Sequence, residues 1–234
     1  MVLNNLVKGK FIKRYKRFLA DIKLENGEIV VAHCTNTGSM KSLLEVGAPV
    51  LLSTNNNPKR KTKYSWELIW INNAWVGVNT YNANKITADL LKTKQIEGLN
   101  NLHAIKSEVK NGDSRLDFFG IDTQGKEVWM EVKNVSMKEN DNALFPDAIT
   151  TRGQKHLKRL MEIIKQGHRA AMIYIIQRSD VQYFGVASHI DPEYDKLLKQ
   201  AKTIGVEVYP VQIKWNNDGY KFLGLLNPSA KVQS

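Results

Sequence analysis

Three residues on two neighbouring apolar runs could do chemistry together. In "SRLDFFGIDTQGKEVWMEVKNV", Asp117 is followed after thirteen residues by Glu131, and Glu131 after one by Lys133. Period-two alternation puts Glu131 and Lys133 on one face of a strand, and a tight turn at Thr123 to Lys126 folds that face back toward Asp117. Two carboxylates brought together repel strongly at low effective dielectric unless a cation lies between them. A divalent metal is the natural cation, and oxygen ligands select a hard one, Mg²⁺ or Mn²⁺. With Asp117, Glu131 and the backbone carbonyl of Val132 as ligands, Lys133 is suited to orient or deprotonate a water and to offset charge building on a phosphate. The structural alternative is an edge-strand ion pair of Asp117 with Lys133, leaving Glu131 solvated.

This spacing resembles the PD-(D/E)XK nuclease core, in which a hairpin presents a metal site to a phosphodiester. The chain holds its own decoy, Glu108-Val109-Lys110, whose nearest upstream aspartate, Asp89, falls in a helical stretch. The second copy fits the pattern and the first does not, so Glu108 is kept only as an upstream acid that could support a second metal.

The elements around these residues divide the chain in two. Residues 11–78 are short apolar runs separated by turn signals such as Glu25-Asn26-Gly27-Glu28 and Asn72-Asn73, with "NTGSMKSLLEVGAP" expected as a short helix ending at Gly47. Small antiparallel strands with one inserted helix describe an OB-fold β-barrel, which commonly binds nucleic acid. "ANKITADLLKTKQIEGL" predicts a bridging helix with Ile86, Leu90 and Leu91 at helical spacing. Beyond it come a strand, a turn and a strand, then the helix "TRGQKHLKRLMEIIKQG", the doubly buried strand "AAMIYIIQ", and a helix opened by Asp191 and Pro192. "VKNGDS" and "KENDN" read as loops. The expected architecture is α+β / α/β in two domains, an OB-fold barrel over residues 1–80 and a PD-(D/E)XK restriction-endonuclease-like α/β domain over 81–234.

Composition agrees with a polyanionic partner. The 234 residues carry 34 Lys and Arg against 23 Asp and Glu, a formal charge of +11. The single cysteine, Cys34, excludes an intrachain disulfide framework and fits a reducing compartment. Neither a secretory leader nor a membrane-length apolar run is present, so a soluble, cytoplasmic protein without membrane association is expected. The five histidines show no zinc spacing, and the glycine-rich loop of nucleotide triphosphatases is missing.

Several stretches together, "AHCTNTGSMKSLLEVGAPVLLS", "KRKTKYSWELI", "SRLDFFG", "MEVKNVSM" and "FPDAITTRGQKHLKRL", resemble the sugar fermentation stimulation protein A family over residues 11–210. The resemblance implies the same two domains, DNA binding and a link to regulation of sugar metabolism in bacteria. It carries over the acidic pair Asp117 and Glu131, Lys133, and Arg115 two residues before the aspartate. Ser39 stands where the family usually has arginine in N-T-G-R-M, which removes one charge-assisted contact if that arginine touches phosphate.

Further cations are candidates for the nucleic-acid surface. Lys13, Arg14, Lys16 and Arg17 are interleaved with Phe11, Tyr15 and Phe18, suiting backbone tracking with base stacking. Lys59, Arg60 and Lys61 follow Pro58 in a loop, and Arg152, Gln154, Lys155 and His156 lie in the first turns of a helix whose N-terminus suits phosphate. Arg178, after the buried strand, is a weaker candidate, and Asp147 is read as a loop residue near the site. DNA is the expected polymer; the residues leave single-stranded DNA and RNA open.

Overall fold

The computed structural model describes residues 3, 5–55, 57–216 and 219–229. β1 (Val7–Tyr15), β2 (Leu19–Leu24), β3 (Ile29–His33), β4 (Pro49–Thr54), β5 (Tyr64–Ile71) and β6 (Ala74–Gly77) form a sheet in the order β3-β2-β1-β4-β5-β6. A further pairing of β3 with β5 closes β1 to β5 into an OB-fold barrel. Alternation in β2 sends Ala20, Ile22 and Leu24 into the barrel core. Phe11 joins them, stacked on Trp66 with ring centroids 5.0 Å apart, so it is not the exposed stacking ring the sequence suggested.

The expected helix over the 36–47 stretch does not form; the chain makes turns there. Two of its backbone donors are taken by side chains: Asn36 accepts from the Gly38 N–H at 2.9 Å and Asp147 from the Met40 N–H at 3.4 Å, with Met40 at a left-handed φ of +52°. Local helix propensity has lost to contacts made across the molecule.

The remaining elements are α1 (Tyr81–Lys92), β7 (His103–Asn111), β8 (Ser114–Ile121), β9 (Glu127–Val135), β10 (Met137–Glu139), β11 (Asn142–Phe145), α2 (Thr151–Lys165), β12 (Arg169–Ile176), β13 (Tyr183–Val186), α3 (Pro192–Ile204), β14 (Glu207–Asn216), β15 (Gly219–Leu225) and β16 (Asn227–Pro228). They build a six-stranded sheet in the order β15-β14-β12-β9-β8-β7, with β9, β12 and β14 parallel, and a small sheet β10-β11-β13-β16. An antiparallel meander feeding parallel strands through helices is the PD-(D/E)XK architecture. Two stretches read as loops are in fact hairpins: "VKNGDS" joins β7 to β8, and "KENDN" joins β10 to β11. β7 is mostly exposed at the sheet edge, so it carries no apolar alternation to betray it.

The central strand β12 is buried on both faces. Ile173 and Ile175 pack with Ile86 and Leu90 of α1, whereas Met172 and Tyr174 pack with Leu157 and Leu160 of α2 and with Leu197 of α3. The α1 side also takes in Leu51 and Leu68 of the barrel, so one apolar core runs across both halves. Backbone pairing reinforces it, with the Gly77 N–H donating to the Gln177 carbonyl at 2.9 Å. Asp191 caps α3 as the sequence suggests, accepting from Tyr194, and Gly205 ends that helix at φ +112°; Thr150 caps α2 by accepting from Gly153.

Candidate metal and phosphodiester site

The β8–β9 ladder runs from Ile121 and Glu127 to Phe118 and Met130 and stops there, so the two strands splay apart where Asp117 and Glu131 face each other. Into this fork Asp117 turns its carboxylate, accepting from the Val132 N–H at Oδ2 (2.8 Å) and from Asn84 of α1 at Oδ1 (2.8 Å). Glu131 is held from the opposite helix: its Oε1 accepts from Lys133 Nζ at 2.5 Å and is in contact with His156 Nδ1 of α2. Lys133 Nζ also lies 3.1 Å from that nitrogen. Thus α1 positions one carboxylate and α2 the other.

The electrostatics of the pair are unequal. Burial, and then the charge of Glu131, raise the pKa of Asp117 above the usual carboxylate range despite its two hydrogen bonds. Burial pushes Glu131 up as well, but the His156 hydrogen bond and the Lys133 charge outweigh it and hold Glu131 below its ordinary value. Glu131 is only 3 % exposed and is itself the ion-pair partner of Lys133, so the alternative of an Asp117–Lys133 pair beside a solvated Glu131 fails. Its second oxygen, Oε2, is buried without a hydrogen-bond partner. A buried carboxylate oxygen left bare is costly, and a divalent cation beside Asp117 would satisfy it. The donor set fits a hard metal through these two carboxylates; among the described residues no three His, Cys, Asp or Glu side chains converge on one metal position.

Asp117, Glu131, Val132 and Lys133 line a polar cavity of about 420 Å³ between the barrel and the second domain. Arg17, Thr37 and Gly38 of the barrel supply one wall, and Asp147, Thr150 and Arg152 another. Burial raises the pKa of Asp147, which packs so tightly on Gly38 that a Cβ there would lie 2.0 Å from its Oδ2. Two larger surface cavities, beside Trp75 and beside Leu198, lie away from the acidic pair.

The other candidates separate clearly. Arg17 and Arg152 reach the cavity; Arg17, like Lys16, sits at the β1–β2 hairpin tip with a left-handed φ, +62° and +48° respectively. Arg115 is exposed on β8, and Lys59 and Lys61 are exposed in the β4–β5 connection, where Arg60 donates to Ser65 at 3.1 Å. Lys13 lies 3.6 Å from Asp21. Arg14 is a brace, donating to the carbonyls of Arg17 and Asn36 at 2.8 Å each. Gln154 turns away to Asp191 at 2.9 Å, Lys155 pairs with Asp113 at 2.8 Å, and Glu108 is exposed on the edge strand β7. Arg178, 0 % exposed, is bound to Asp180 and to the Ser136 carbonyl and offers nothing to a phosphate. His156, read from the sequence as one of the polar groups opening this helix toward phosphate, is instead buried against Glu131. Its signal is phase: it falls on the buried stripe with Gly153, Leu157, Leu160 and Ile163.

Fold and site together define an OB-fold barrel fused to a PD-(D/E)XK-like domain that carries a half-buried Asp and a Glu-x-Lys pair with the Glu buried. Residues 12–78 match the model of the SfsA N-terminal OB domain, and residues 81–219 that of the sugar fermentation stimulation protein RE domain. The chain belongs to the sugar fermentation stimulation protein family. It is 47 % identical over 208 residues to the sugar fermentation stimulation protein homolog of Pseudoalteromonas atlantica, covering 88 % of this chain and 89 % of the relative. With the homolog of Synechocystis it shares 45 % identity over 224 residues, 94 % of each chain. Among solved structures, that of Pyrococcus furiosus SfsA in complex with Ca²⁺ superposes with a TM-score of 0.89 at 25 % identity, covering 98 % of both chains. No helix among the described residues is long and apolar enough to cross a membrane.

Proposed function

We propose that this chain binds DNA along the face where residues 1–80 meet residues 81–234 and hydrolyses phosphodiesters there with Mg²⁺ or Mn²⁺. The observation that carries the reading is the bare, buried Glu131 Oε2 in a fork that also holds the Asp117 carboxylate. The Ca²⁺ complex of the Pyrococcus furiosus relative adds support for a divalent ion in this architecture. Asp117 and Glu131 hold the metal, with the Val132 carbonyl as a further ligand. When bound, the metal supplies positive charge that stabilises the phosphodiester transition state. Lys133, as an ammonium, orients a water against the phosphorus and offsets charge building on the phosphate, while Arg17 and Arg152 hold flanking phosphates.

A second reading, a DNA-binding regulator of sugar metabolism that does not cut, is favoured by one observation: Lys133 Nζ is tied to Glu131 and lies against His156 rather than being free in the cavity. Labelled single- and double-stranded DNA and RNA, incubated with Mg²⁺ or Mn²⁺ beside Asp117→Ala and Glu131→Ala, separate the two. Metal-dependent cutting lost in both variants establishes the nuclease. Salt-sensitive binding without cutting on any substrate establishes the regulator.

A further inference from the structure

We infer that His156 is a positioning residue whose ring fixes the Glu131 carboxylate so that Oε1 is committed to the protein and Oε2 is left for the metal. The inference rests on reading Asp117 and Glu131 as metal ligands. His156 is 5 % exposed and sits on the apolar stripe of α2, one turn above Leu160, where a hydrocarbon side chain would pack without cost. Instead its Nδ1 contacts Glu131 Oε1 and lies 3.1 Å from Lys133 Nζ. A polar ring buried among Leu157, Leu160 and Ile163 is costly unless it is hydrogen-bonded, and the partner its Nδ1–H serves is the acid of the candidate site.

The geometry divides the labour of one carboxylate. Oε1 receives both protein contacts and Oε2 receives none, so the carboxyl group is oriented by α2 before any metal arrives. Lys133 cannot do this alone, because a flexible ammonium follows the carboxylate wherever it rotates, whereas the imidazole is locked by the packing of α2 against β12. The Thr150 cap and the buried Gly153 set the register of that helix, and with it the height of His156 over the fork.

Mn²⁺ affinity of the full chain, measured by isothermal titration calorimetry, tests this directly and needs no cleavage assay. His156→Leu and His156→Ala remove the donor; His156→Asn keeps a nitrogen donor near the Nδ1 position. The expected result is a loss of affinity of about 10- to 100-fold in His156→Leu and His156→Ala with recovery in His156→Asn, the size found when a partner that orients a ligand is removed. Unchanged affinity in a donorless variant that keeps the wild-type near-ultraviolet circular dichroism overturns the inference. So does loss of that spectrum in both donorless variants, which assigns the contact to folding alone. Failure of the wild-type chain itself to bind Mn²⁺ overturns the metal reading, and the inference falls with it.

Discussion

The Val132 N–H donates to Asp117 Oδ2 at 2.8 Å, at the point where β8 and β9 cease to pair. A carboxylate has replaced a carbonyl as the strand's partner. Both Asp117 oxygens are hydrogen-bonded, yet burial and the neighbouring Glu131 charge still raise its pKa, so the ionised group is a net liability to the metal-free fold. Asp117→Asn keeps an acceptor for Val132 and removes the charge. Without metal it should be more stable by on the order of 1 kcal/mol, a rise of about 2–4 °C in Tm for a chain of this size. Calorimetry in EDTA checks this, and saturating Mn²⁺ should erase the difference by stabilising only the wild type.

Removing Lys133 separates chemistry from binding. Lys133→Ala should lower single-turnover cleavage by about 10²- to 10⁴-fold and leave DNA affinity within a few-fold, because its ammonium is engaged with Glu131 rather than a phosphate. Fluorescence anisotropy in the same samples reads the binding. Equal loss of both would remove Lys133 from its assigned role.

Arg17 and Arg152 face the cavity from opposite halves. Each substitution to alanine should flatten the slope of log affinity against log salt by about 1. Arg14→Ala should instead lower thermal stability, since its guanidinium holds carbonyls of the 36–39 loop.

The Arg178–Asp180 pair is a stability element with a defined pH window. Burial alone would raise the Asp180 pKa, but the hydrogen bond and charge of Arg178, with help from Lys138, bring it down to about 2 from an ordinary 3.8. A depressed folded-state pKa means the stabilisation is full well above pH 4 and is lost as the pH falls through about 2. Asp180→Ala leaves Arg178 buried and unpaired and should cost about 3–5 kcal/mol at neutral pH, with the deficit shrinking in acid. Urea titrations at pH 7 and pH 3 measure both.

Gly77 of the barrel lies against Gln177, the residue that follows β12. A Cβ there would lie 2.0 Å from Gln177 Oε1 and 2.8 Å from its Cβ, and Gln177 is fully buried with its amide donating to the Asn79 carbonyl. Gly77→Ala should therefore cost about 1–3 kcal/mol. It should also expose the connection near residue 80 to limited proteolysis.

The parts of the molecule written in local periodicity were readable from its residues. Alternation in 127–135 put Glu131 and Lys133 together, and the turn at 123–126 returned the chain toward Asp117. What escaped depends on contacts distant in sequence. The 36–47 stretch has a helical look, but Asp147, more than a hundred residues away, takes its backbone donor. Gln154 and Lys155 lie beside His156 in sequence, yet the helix turns only His156 inward, and Asp191 and Asp113 claim the other two.

The contact between Gly38 and Asp147 makes the two halves a single mould rather than a binding module tethered to a catalytic one. The acid of the second half is shaped to a missing side chain in the first, so neither can drift in sequence or be exchanged for a relative's without refitting the other. The barrel's 36–40 loop is, in this sense, seated on a carboxylate that lies far along the chain.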